Sequence, residues 1–267
     1  MRLVVKVGTS TVGRTTPPDP IAALAGEVAA LMRAGHRVAV FSSGAVWAGR
    51  RAVGANLPPA AAAAVGQPLV YARWRDALAK AGVRAAQVLV DDRHVRDGGQ
   101  AAAVVEALWR TGLVPVLNGN DAVADPDSPV ADNDSLAAAL ALALGADRLV
   151  LLTDQDGLYT RDPRSDPDAR PIRRLTAAGL AACLPTLAVG RPGPHGRGGM
   201  ASKAYAAWQA ARGGVATVIA HGAMAEVLTA VLAGEAVGTA VEPAGARDHP
   251  RVPAPAFGAG WAACGGE

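Results

Sequence analysis

Short runs of β-branched and aliphatic residues alternate with longer stretches whose apolar positions recur at helical spacing. The strand-like runs cover residues 3–7, 37–41, 84–90, 113–117, 148–152 and 215–220. Helical periodicity covers residues 20–33, with Asp19 as N-cap, and residues 100–110, 200–212 and 223–232. An alanine-rich helical stretch over 59–81 is expected to break around Gly66-Gln67-Pro68. Asp132-Asn133-Asp134 caps a further Ala/Leu helix that runs to about Gly145. Strands alternating with amphipathic helices predict a mostly parallel sheet covered on both faces. In such sheets ligands bind beyond the carboxyl ends of the strands. Four loops meet that condition: Gly8-Thr9-Ser10, Ser42-Ser43-Gly44, residues 118–129 and residues 153–164. Each is rich in the small polar residues that turns favour anyway; it is their shared place on one sheet edge that marks a site. No fixed-period repeat is present. Periodicity ends near Val241, and residues 243–267 read as a loosely ordered tail.

Composition narrows the class. With 267 residues, 51% apolar and 18% charged, the chain is long and hydrophobic enough for one large domain or two tight lobes, and disorder is excluded for most of it. At 4% aromatic, the core must be built from Ala, Val and Leu. The longest stretch without polar side chains, residues 136–146, is shorter than the roughly 18 residues of a membrane span. The first residues are too few for a signal-peptide core. Cys183 and Cys264 lie far apart with no metal-ligand spacing, so ordinary thiols and a cytoplasmic location are expected. The net charge of +3 is scattered, without the basic block of a nucleic-acid surface. One bias is more informative. Of 26 basic residues only Lys6, Lys80 and Lys203 are lysines. A chain that uses arginine by default and departs from it three times points to positions where a compact ammonium matters.

Lys80 precedes Gly82 late in a helix, where a cation simply complements the helix end. Lys6 ends the first strand beside Gly8, a place from which it reaches an anion cradled by backbone N–H groups. Lys203 follows Gly198-Gly199-Met200-Ala201-Ser202 in the first turn of a helix. A cation there opposes the macrodipole unless an anion occupies the site. Neither loop fits the P-loop pattern. Asp132-Asn133-Asp134 holds more polar side chains than one cap requires, and Asn118-Gly119-Asn120-Asp121 lies close before it. The acidic stretch Asp91-Asp92-Arg93-His94 with Asp97 reads as a solvated loop rather than a metal site, and no metal ligands are assigned. His195 is read as structural or incidental.

Taken in order, Val5-Lys6-Val7-Gly8-Thr9-Ser10, Ser42-Ser43-Gly44-Ala45, Ala64-Val65-Gly66-Gln67, Asn118-Gly119-Asn120-Asp121-Ala122-Val123 and Asp132-Asn133-Asp134 resemble the amino acid kinase family. So do the block from Leu151 to Arg164 and Gly198-Gly199-Met200-Ala201-Ser202-Lys203. Within that family they are similar to the glutamate 5-kinase branch, over about residues 1–241. The resemblance implies a three-layer αβα sandwich. Residues 1–242 would be the kinase domain, with an acceptor lobe over 1–146 and a nucleotide lobe over 147–242. It also implies transfer of the ATP γ-phosphoryl group to the side-chain carboxylate of L-glutamate, with Mg2+ carried by the nucleotide.

By position, the resemblance implies that Lys6 and Lys203 contact the phosphates and that Asp134 orients them. Ser43, Asp121, Asn133 and Asn118 would hold the amino acid. Lys6, Gly8, Thr153, Asp154 and the segment Arg197, Gly198, Gly199, Met200, Ala201, Ser202 and Lys203 would line the nucleotide site. A homo-oligomer, feedback by proline and a transient contact with the reductase that consumes the acyl phosphate are further expectations. No nucleic-acid or membrane partner is expected, and the PUA domain that many relatives carry after the kinase domain is not expected in this chain.

Three positions depart from the family pattern. Gly119 stands where an acidic residue is usual, Ala131 where glycine is usual, and Arg197 where threonine is usual. They leave open a kinase of the same family with a different small carboxylate as acceptor. A sensor that binds amino acid or nucleotide without turnover is the other alternative. The retention of Lys6 and Lys203 speaks against the sensor.

Overall fold

The computed structural model describes residues 1–14, 19–95, 99–123, 132–184 and 199–244. The first half runs β1 (Arg2–Val7), α1 (Thr9–Val12), α2 (Pro20–Arg33), β2 (Arg37–Ser42), α3 (Ala45–Val53), α4 (Pro59–Lys80), β3 (Arg84–Val90), α5 (Asp92–Val95), α6 (Gln100–Arg110), β4 (Leu113–Gly119) and α7 (Asn133–Ala143). The second half runs β5 (Arg148–Thr153), β6 (Leu158–Tyr159), β7 (Pro171–Ile172), β8 (Arg174–Thr176), α8 (Ala177–Cys183), α9 (Met200–Arg212), β9 (Ala216–His221), α10 (Val227–Ala233) and β10 (Thr239–Glu242).

Eight strands form one sheet in the order β3-β4-β2-β1-β5-β9-β10-β8. Every neighbouring pair is parallel except β10 against β9. Because side chains alternate across a strand, each face receives every second residue. Leu3, Val5 and Val7 of β1 join one core with α2, α4 and α10, whereas Val4 joins the other with α6, α7 and α9. Helices therefore cover both faces, giving the expected αβα sandwich. The same parity sends Lys6 toward α7 and α9.

The described elements differ from the sequence reading in several places, among them the short elements α1, α5, α8, β7, β8 and β10, which it does not contain. α4 passes through Pro68 without a break. Pro68 has no N–H to donate to the carbonyl of Ala64, and both residues are exposed and line a cavity. Gly66 is a packing notch. A Cβ there would stand 1.8 Å from Ala45 O, and one on Gly49 would stand 1.8 Å from Ala62 O. Only hydrogens let α3 and α4 approach so closely, and α3 is a helix that the sequence reading does not contain. The last helix begins at Val227 rather than Ala223. The loop over 153–159, expected to be a tight turn, includes β6, which pairs with β7. Most of the 243–267 tail lies outside the described residues.

Because the obstacle to Gly66→Ala is backbone, the substitution is expected to cost about 1–3 kcal/mol as overpacking. Thermal unfolding checks it. A melting temperature lower by several degrees is the expected result, and an unchanged one contradicts the notch.

Candidate active site

The carboxyl ends of β1, β2, β4 and β5 open onto one edge of the sheet. There the parity of β1 places Lys6, 4% exposed, beneath the first turn of α7. Asp132 caps that helix by accepting from the N–H groups of Asp134 and Ser135 at 2.9 and 3.0 Å. Capping fixes the orientation of the next two side chains. Asp134, 1% exposed, stands between two ammonium groups: Lys6 Nζ lies 2.7 Å from Oδ1 and Lys203 Nζ 3.2 Å from Oδ2. Ser202 joins α9 to the start of α7: its Oγ lies 2.6 Å from Asp132 Oδ1 and 3.2 Å from Asp134 Oδ2.

Two lysines share one buried carboxylate, with the Asp132 carboxylate near enough to act on Lys6 as well, in a place from which water is largely withdrawn. Burial alone raises the pKa of Asp134, but the charges of Lys203 and Lys6 outweigh it and hold the group at about 2. Burial lowers the pKa of Lys6, the nearby Lys203 adds to that, and Asp134 opposes it. Two buried ammonium groups so close together repel each other, and an anion beside them would relieve that repulsion.

Gly8 adjoins this group, since a Cβ there would lie 3.9 Å from Lys6 Nζ, and its N–H donates to Leu152 O at 3.3 Å. Thr153 and Asp154 follow β5; Thr153 is buried and Asp154 exposed, and Thr153 Oγ1 donates to Asp154 Oδ1 at 3.1 Å. Gly199 is the N-cap of α9. Met200 packs partly against the core, and Ala201 faces solvent. Arg197 and Gly198, assigned to the nucleotide site from the sequence, lie outside the described residues, as do Ala131, His195 and Asp97.

A second cluster lies beside the first. Asn133, one residue before Asp134, donates from Nδ2 to Ser43 Oγ at 3.1 Å and to Asn118 Oδ1 at 2.8 Å, while its Oδ1 accepts from Gly119 N–H at 2.8 Å. Asn118 in turn donates to Gln67 Oε1 of α4 at 2.5 Å. Asp121 lines a cavity of about 230 Å3 together with Gln67, Gln87, Gly119 and Asn120. The structure thus brings together Lys6, Lys203 and Asp134 in one cluster and Ser43, Asn118 and Asn133 in another, with the backbone step from Asn133 to Asp134 joining them. Two contributors carry no role in the sequence reading: Gln67 belongs to a motif without an assignment of its own, and Asp132 reads there only as a cap. Among the described residues no group of three or more His, Cys, Asp or Glu side chains stands close enough to hold a metal ion. No helix among them is long and apolar enough to cross a membrane.

A buried lysine pair around a carboxylate thus stands at the edge of the mostly parallel sheet of an α/β protein, beside a cluster of amides and a hydroxyl. Comparison with known proteins gives the family. The model of the amino acid kinase family matches residues 1–221. A glutamate 5-kinase of Burkholderia mallei is 41% identical over 250 residues, covering 89% of this chain and 67% of the relative. The glutamate 5-kinase of Burkholderia pseudomallei matches to the same extent, and that of Burkholderia thailandensis is 40% identical. The chain belongs to the amino acid kinase family.

Proposed function

We propose that this chain transfers the γ-phosphoryl group of ATP to the side-chain carboxylate of L-glutamate, giving L-glutamyl 5-phosphate, the first step of proline biosynthesis. The observation that carries this reading is the buried Asp134 carboxylate bridging Lys6 and Lys203 next to the Ser43–Asn133–Asn118 cluster. Phosphoryl transfer asks for alignment and for neutralisation of charge on the moving group. Lys6 and Lys203 supply the neutralisation, and Asp134 keeps both ammonium groups aimed at one point. The attacking carboxylate has an ordinary pKa near 4.3, so it is ionised at neutral pH and needs no general base. Ser43, Asn133, Asn118 and Asp121 hold the acid. Gly8, Thr153, Asp154 and Gly199 through Lys203 line the nucleotide side. ATP enters as its Mg2+ complex. With both Asp134 oxygens engaged by lysines, the ion would be held by phosphates and water rather than by a protein cage.

On this reading residues 1–146 form the acceptor lobe and residues 147–242 the nucleotide lobe. Self-association and a transient encounter with the reductase that consumes the labile acyl phosphate belong to the same proposal, as does a cytoplasmic location. ADP release measured with L-glutamate, D-glutamate, L-aspartate, L-2-aminoadipate and glutarate tests the acceptor. A kcat/KM highest for L-glutamate is expected. Preference for another acid would transfer the specificity to Gly119, where a Cβ would stand only 3.0 Å from Asn133 Oδ1.

The pH dependence follows from the site. Lys6 must be charged to act, and its pKa in the free enzyme lies below the ordinary lysine value. As pH rises through that lowered value, kcat/KM for MgATP is expected to fall first. In the ternary complex the bound phosphates favour the ammonium, so kcat falls at higher pH. Coincident limbs at or above the ordinary lysine range would contradict the assignment.

A further inference from the structure

The turn that follows Lys6 is held from the opposite face of the sheet. α1 is a single helical turn, too short to stay formed on its own hydrogen bonds. It is wedged in place: Thr11 and Val12 are buried, a Cβ on Gly222 would stand 2.6 Å from Thr11 Oγ1, and one on Gly44 would stand 3.0 Å from Val12 Cγ1. Wedging sets the depth of the turn but leaves the carbonyls at its exit without intrahelical donors. Arg73, on α4, takes them. Its Nη1 donates to Val12 O at 2.6 Å and its Nη2 to Arg14 O at 3.4 Å, and Nη2 also meets Asp19 Oδ1 at 3.1 Å. Asp19 is itself the N-cap of α2, accepting from Ile21 N–H at 3.0 Å.

One planar guanidinium therefore ties together the exit of the Lys6 turn, the start of α2 and α4. The fork geometry is what permits this, and a point-charge ammonium does not reproduce it. The ion pair with Asp19 is partly exposed and contributes little by itself; the two carbonyl bonds are the informative part. α4 is anchored to the acceptor side as well. Gln67 accepts from Asn118, and Trp74 Nε1 donates to Ser42 Oγ at 2.8 Å.

We infer that Arg73 is a positioning residue for phosphoryl transfer: by holding the carbonyls of Val12 and Arg14 it fixes the Gly8–Gly13 turn over Lys6, and so sets where the nucleotide phosphates lie against the two ammonium groups. It touches no reacting atom. The inference rests on the kinase reading above.

The test compares wild type with Arg73→Met and Arg73→Lys, using MgADP titrated calorimetrically as the probe, steady-state kinetics and thermal melting. For Arg73→Met the account expects about ten-fold or greater loss in kcat and in MgADP affinity. KM for L-glutamate should stay within about two-fold, and the melting temperature should fall by no more than a few degrees, the cost of the lost carbonyl bonds. Arg73→Lys, which reaches one carbonyl, should recover part of the MgADP affinity, and it serves alone if the methionine variant does not fold. Unchanged kcat and MgADP affinity in a folded variant would overturn the inference. Equal weakening toward both substrates with a lowered melting temperature would overturn it too, since that is the pattern of general loosening. Wild type that binds MgADP but does not turn over L-glutamate would sink the kinase reading, while the MgADP comparison would still decide the role of Arg73.

Discussion

Replacing Lys203 by methionine is expected to lower kcat by about 10²–10³-fold while leaving KM for L-glutamate within about three-fold. The magnitude is that of removing one preorganised donor from developing charge in a site shielded from water. Lys203 is 5% exposed, so no solvent cation takes its place, and its ammonium shares Asp134 with Lys6. Methionine keeps most of the aliphatic volume beneath α9, so the loss belongs to the charge. Asp134 retains Lys6 and Ser202, and the variant should remain folded. Steady-state kinetics with circular dichroism checks this. A kcat within three-fold of wild type would remove Lys203 from the chemistry.

Asp134→Asn should damage both stability and turnover. It leaves two buried ammonium groups facing each other without their counter-ion, and breaking a buried pair from one side costs about 3–5 kcal/mol. The pH dependence gives the origin away. In wild type the Asp134 pKa is depressed to about 2, so its contribution is fully present above the ordinary carboxylate range and is lost only as pH falls through about 2. In the variant, Lys6 loses the partner that raises its pKa, so its folded value falls further below its unfolded one. The unfolded state then binds more protons, and stability rises with pH over that window, beginning at lower pH than in wild type. Urea unfolding at pH 5, 7 and 9 should therefore show the gap to wild type narrowing as pH rises. A gap that is absent at pH 7, or that widens toward pH 9, would contradict the electrostatic account.

Much of this site was legible in the chain because its logic is local. The alternation of β1 assigns Lys6 to one face, and the capping triplet at the start of α7 carries Asp134 to the same place. The lysine bias flagged Lys6 and Lys203 without any structure, and the structure puts both against one carboxylate. What stayed hidden depends on contacts far apart in sequence. Gln67 meets Asn118 across 51 positions, and Arg73 meets Val12 across 61. Nothing in the helical pattern of α4 distinguishes those side chains from solvated ones. Pro68 is the opposite case: a strong local rule gives way on an exposed stretch of α4 that borders a cavity. The close approach of α3 to α4 is likewise invisible until two backbones are seen to touch at Gly49 and Gly66.

The central claim is that a carboxylate attacks phosphorus here, and trapping the acyl phosphate tests it most directly. Wild-type protein with MgATP, L-glutamate and hydroxylamine should form γ-glutamyl hydroxamate in one-to-one ratio with ADP, and neither should accumulate when L-glutamate is omitted. ADP released at the same rate without L-glutamate, or with no hydroxamate formed, would contradict it.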